Sequence, residues 1–118
     1  MVKELECIPL PNGKAKPIFE VQADRHSEIC QADIEGKAFS NLRPYLSPGI
    51  ATWCMNSLST AGPPVPLGNG TSILLLNGFT GVNLAIGYAL INEDGYPFWI
   101  NPYPIITPSA DLPLGPLG

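Results

Sequence analysis

The chain has 118 residues, 12 of them Gly and 14 Pro, with 45% hydrophobic and 14% charged residues and a net charge of −4. That length suits one domain, and the apolar content excludes a wholly disordered chain. The lack of a Gly-X-Y period excludes a collagen helix, and prolines spread throughout exclude a coiled coil.

Residues 1–18 read as an extended arm. Cys7-Ile8-Pro9-Leu10-Pro11 cannot be helical, because each proline lacks an N–H and fixes φ. Asn12-Gly13 is a turn signal, and Ile18 to Ala23 leans to β. Residues 23–36 allow two readings: a helix ended by Gly36, or a strand pair turning at Asp24-Arg25. The helical apolar stripe of Ile29, Cys30 and Ala32 is narrow, which favours strand. Ser47-Pro48 has the form of an N-cap followed by Pro at the first helical position, and predicts a short helix over 48–58. Residues 60–70 read as a loop with a polyproline II centre.

From Thr71 the pattern is β. Ser72 to Leu76 is a strand, Asn77-Gly78 a turn, and Val82 to Ile91 a second strand with Gly87 as a candidate bulge. Asn92-Glu93-Asp94-Gly95 forms a hairpin loop, and Tyr96 to Ile100 returns as a third strand that Pro97 places at an edge. Ile73 to Ile91 approaches the ~20 residues of a bilayer span, but internal Asn and Gly and the absence of flanking Lys or Arg argue against one. Tyr96, Phe98, Trp99 and Tyr103, with Tyr88 nearby, suit either a core or an interface anchor, and core is preferred.

Residues 101–118 hold five prolines, yet Tyr103, Ile105, Ile106, Leu112, Leu114 and Leu117 recur through them. A solvated linker would be rich in Ser or Glu, so this tail is built to lie along something apolar. The expected architecture is mainly β: a small antiparallel β-sandwich or barrel-like domain over 19–100, with one short helix. Extended Pro-rich arms over 1–18 and 101–118 flank it.

Charge is segregated. Residues 1–43 carry thirteen charged side chains, residues 44–92 carry none, and Glu93, Asp94 and Asp111 follow. A 49-residue stretch without charge points to burial, in the core or against another chain. The few basic residues end at Arg43, which leaves no stripe for nucleic acid. Met1 to Glu6 has no apolar signal core, so a compartment that keeps thiols reduced is expected, and Cys7, Cys30 and Cys54 read as free thiols.

Catalytic and metal constellations are weak. His26 and Cys30 would share a helical face, but no third group orients them. Cys7, His26, Cys30 and Cys54 have the composition of a zinc site without its paired spacing. Glu93-Asp94 reads as a solvated turn, and Gly68-Asn69-Gly70 lacks the lysine of a phosphate loop. Pro63-Pro64-Val65-Pro66 lacks the flanking cation of a PxxP ligand. No cofactor and no enzymatic activity are expected.

Proline-stiffened arms around a small β domain resemble, in composition, the capsid-decorating or cement subunits of bacteriophages, and are similar to accessory subunits of other large assemblies. Preorganised arms lose less entropy on docking. The resemblance implies a non-catalytic virion component that clamps neighbouring protein subunits, copies of itself included, with neither nucleic acid nor membrane as partner. Trp99, Tyr103, Ile105, Leu112, Leu114 and Leu117 are the expected assembly contacts. The implied location is the virion, otherwise the cytoplasm. A small ligand- or peptide-binding β module is the alternative.

Overall fold

The computed structural model describes residues 2–11, 13–24 and 26–107. The chain first builds one antiparallel meander and then a second. Strands β1 (Val2–Pro9), β2 (Ala15–Ala23), β3 (His26–Glu35) and β4 (Ala38–Leu46) lie in that order in the first sheet. Residues 2–9, expected as part of an arm, are extended as predicted but pair with β2, with Ile8 opposite Lys16. The β1–β2 loop closes where the Leu10 amide donates to the Lys14 carbonyl at 2.9 Å. Of the two readings of 23–36, strand is the observed one. Asp24 makes the turn at φ 49°, a left-handed conformation that Asp tolerates better than most residues.

The second sheet contains β5 (Ser57–Thr60), β6 (Val65–Pro66), β7 (Ser72–Phe79), β8 (Leu84–Ile91) and β9 (Pro97–Ile100). The β7–β8 hairpin is its centre. β5 and β6 follow one another along one side of β7, and β9 pairs with β8 on the other. After β9 the chain loops through Pro102 and Pro104 and returns to β8. There the Ile86 amide donates to the Ile106 carbonyl at 2.8 Å, and the Ile105 amide donates to the Ile86 carbonyl at 2.8 Å. The first part of the predicted C-terminal arm is therefore tied to the sheet.

The two sheets face each other as a sandwich. Ile8, Ile18, Ile29 and Leu46 from the first meet Leu58, Leu74, Leu76, Ala85, Ala89 and Ile91 from the second. Along β7 and β8 burial alternates residue by residue, so Leu74, Leu76 and Gly78 point inward while Ile73, Leu75 and Phe79 point outward. At one end the Tyr45 hydroxyl donates to the Gly95 carbonyl at 2.7 Å, and the Lys16 ammonium sits 4.4 Å from the Tyr96 ring centre. These contacts latch the β8–β9 loop onto the first sheet.

Three sequence expectations are corrected. The helix over 48–58 is only a 3-10 turn, Thr52–Cys54. Gly49 is left-handed at φ 95° and Ala51 is extended, which stops helical propagation. The Ser47 hydroxyl donates to Glu28 at 3.1 Å instead of capping a helix. Asn77-Gly78 is not a turn, since β7 runs through it to Phe79. The chain reverses at Thr80–Asn83, where the Thr80 hydroxyl accepts the Val82 and Asn83 amides at 3.2 and 2.9 Å. Gly87 is not a bulge, because the β7–β8 register is unbroken from Ser72↔Ile91 to Phe79↔Leu84.

Gly78 and Gly87 have one cause. Both point inward from adjacent strands, and the Trp53 indole lies across them. A Cβ at either position would overlap the ring. Trp53 is 3% exposed, and its indole N–H donates to the Asn101 carbonyl at 2.9 Å. Glycine is used here for space, not for φ.

Gly87→Ala is expected to cost about 2 kcal/mol or more by overpacking, and Trp53→Ala about 3–5 kcal/mol by leaving a cavity. In the Trp53→Ala background the Gly87→Ala cost should largely vanish, because the two changes act on the same space. Urea unfolding of the four proteins measures the coupling. Additive effects would mean that the indole does not set the glycine.

Candidate interaction surface

The candidate surface follows from register. On β7 and β8 the cross-strand pairs Ile73↔Leu90, Leu75↔Tyr88, Asn77↔Ile86 and Phe79↔Leu84 share the outward face. Val65 extends it beside Ile73, Trp99 beside Leu90, and Ile106 beside Ile86. Ser57 and Ser59 complete it beside Phe79 and Asn77. None of these residues carries a charge. Asn77 is the polar residue at the centre, and its amide is already committed to the Thr60 carbonyl at 3.3 Å. Antiparallel sheets with one solvated face normally alternate apolar and polar residues. β7 and β8 instead read like strands covered on both faces.

The expected contact residues fall partly on this surface. Trp99 is 49% exposed, Tyr103 75% and Ile105 52%. Leu112, Leu114 and Leu117 lie outside the described residues. The aromatic cluster preferred as core is instead exposed: Tyr96, Phe98, Trp99 and Tyr103 all reach solvent. The reason is local. Ile100, opposite Ala89, occupies the inward position of β9, and a register shift at Leu90/Ile91 adds a residue to the strand, so Phe98 also faces out. Sequence reasoning missed Ile73, Leu75, Leu84, Ile86 and Leu90. Their signal was present: two apolar runs without the polar alternation of a half-buried strand.

The first sheet differs. Its outward side carries a groove of about 320 Å³ lined by Phe19, Ala32, Phe39 and Leu42, with the Phe19 and Phe39 rings edge to face at 5.1 Å. The groove is bounded by charge. Asp33 accepts from Asn41 at 3.1 Å and from Arg43 at 3.2 Å, and these bonds, Asn41's foremost, hold its carboxyl below the usual range.

The residues considered for catalysis are dispersed. Because 26–35 is a strand, His26 and Cys30 stand roughly 13 Å apart. His26 Nδ1 lies 3.1 Å from the Asn56 carbonyl, at the seam between β3 and β5. Cys54 is in the core, Cys30 is buried under the outward face of the first sheet, and Cys7 is exposed. Among the described residues, no three His, Cys, Asp or Glu side chains gather as metal ligands. No helix of the described residues is long and apolar enough to cross a membrane.

Burial raises the thiols of Cys30 and Cys54 above their ordinary value near 9.0, with Glu28 adding to the effect at Cys30. The folded chain then keeps protons that the unfolded chain releases. The stability they contribute is present below about pH 9 and is lost as pH rises beyond it. Melting temperature should fall from neutral pH to pH values above about 9. A thiol reagent should label Cys7 far faster than Cys30 or Cys54. Equal labelling rates in the folded protein would contradict the burial described.

The two tryptophans give a second check. Acrylamide should quench Trp99 readily and Trp53 hardly at all, so Trp99→Phe should leave a blue-shifted, protected emission. The chain matches no family model, no curated protein and no solved structure.

Proposed function

We propose that this chain is a non-catalytic structural subunit of a larger protein assembly, of the kind in which a small virion component decorates or cements a capsid by clamping its neighbours. One observation carries the reading: the outward face of the second sheet is free of charge over all its rows and, Asn77 apart, apolar along β7 and β8. Contiguous apolar surface of this extent marks a protein–protein contact. Trp99, exposed at its margin beside Leu90, is of a residue type that anchors interfaces. A catalytic reading gains no support from His26 and Cys30, which the strand holds apart.

A second reading has its own observation. The groove at Phe19, Phe39 and Leu42 adjoins Ser40, whose Oγ is buried without a hydrogen-bond partner. A small apolar ligand or peptide side chain with one polar atom would satisfy both, which suits a ligand- or peptide-binding β module.

Sedimentation of the chain from its native host separates the two. An assembly subunit travels with large particles. A chain ending at Thr107 keeps its circular dichroism, because Ile105 and Ile106 still pair with β8, but leaves those particles in part, since the apolar tail is gone. A full-length chain that stays with free proteins of its own 12.6 kDa mass overturns the assembly reading.

A further inference from the structure

We infer that the charge-free face of the second sheet is a self-pairing surface: two copies of this chain pack it face to face about a two-fold axis. The inference rests on the assembly reading above and names the first partner. Register supplies the surface. Four rows of strand, each up to eight residues long, span roughly 19 by 26 Å at the usual strand spacing and rise. That is a flat footprint of roughly 500 Å² per copy, or near the 1,000 Å² total that a specific interface must clear.

Charge selects the occupant. The chain carries −4, and its described charges lie on β1–β4 with their turns and at the Glu93-Asp94 loop. A partner chosen by complementary charge finds nothing on this face to read. A second copy brings an identical uncharged face and keeps its own charged sheet on the far side. Sheets stack about 10 Å apart, so pairing makes four layers whose outer, charged layers stand roughly 30 Å from each other. That exceeds the Debye length of about 8 Å at physiological ionic strength several times over, and the repulsion is screened. Two identical twisted sheets also meet naturally in the aligned packing of β-sandwiches, and a two-fold axis makes the contact self-complementary and closed.

Leu75 and Tyr88 occupy the middle of the face, so each lies near its own counterpart in the pair. Light scattering of the purified full chain over a concentration series should give twice the 12.6 kDa mass. Leu75→Glu and Leu75→Lys should each weaken the dimer by roughly a hundred-fold or more, because like charges are then buried against each other. An equimolar mixture of the two should restore a dimer containing one copy of each. Leu84→Glu places a charge on a side chain already 63% exposed and should weaken pairing without disturbing the core. Circular dichroism confirms that every variant is folded. Dimers unaffected by Leu75→Glu and Leu84→Glu would overturn the inference while leaving assembly through another surface. A wild-type chain monomeric at all concentrations would overturn it too, and the host sedimentation would then decide the assembly reading alone. Failure of the mixture to pair would exclude the two-fold arrangement.

Discussion

The sandwich is organised by one indole seated on two glycines. Trp53 enters between the sheets from the segment that carries the chain from β4 to β5, so the side chain that joins the sheets also fills the space between them. Gly78 and Gly87 open a trough across β7 and β8 of the shape the ring needs. The indole N–H ends on the Asn101 carbonyl, which fixes where β9 stops and where the chain begins its return to β8. Interior packing density leaves no slack for an alternative seat. The end of β9 is tied to that seat, while the exposure of Trp99 follows from its pairing with Leu90.

The second consequence is a division of chemistry between the layers. The first sheet carries most of the charged groups and sets Ile8, Ile18 and Ile29 on its inner face, with Glu20 and Gln31 paired beside them. The second has no charged strand residue, and along β7 and β8 both faces are mainly apolar. The charge gap over residues 44–92 is thus explained twice. Along β7 and β8, alternate side chains such as Leu74, Leu76 and Ala89 fill the core, and those between them, such as Ile73, Leu75 and Leu90, form an outer surface. Burial within the chain occupies one side of these two strands, and the face proposed to meet a partner occupies the other.

The β architecture was legible because prolines removed helix from most of the chain, and because the narrow stripe at Ile29, Cys30 and Ala32 could not sustain one. The loop at Asn92–Gly95 was legible from its residue types, and the Asn92 side-chain oxygen accepts the Asp94 and Tyr96 amides at 3.0 Å. Asn77-Gly78 misled because a glycine chosen for close packing carries the same letter as one chosen for a turn. Its partner, Trp53, is remote in sequence. Ser47-Pro48 misled because cap signals at one end do not outweigh Gly49 in a left-handed conformation. The candidate surface was half legible. The absence of charge could be counted, but which apolar residues face outward required the strand register, and Trp99 could not be told from a core residue without the shift at Leu90/Ile91.

The flanks of the second sheet have a further effect. Neither side of the β7–β8 hairpin is bordered by one long strand. One flank is split into Ser57–Thr60 and Val65–Pro66, and the other into Pro97–Ile100 and the Ile105–Ile106 return, with prolines at the breaks. A continuous free edge on so apolar a sheet would recruit further strands and grow into fibres. Interrupted edges deny that template, and proline withholds the donor it would need. In the assembly proposed above, the interrupted edges leave the face of this sheet as the route of contact, and a two-fold pair through a face closes where edge pairing would propagate without limit.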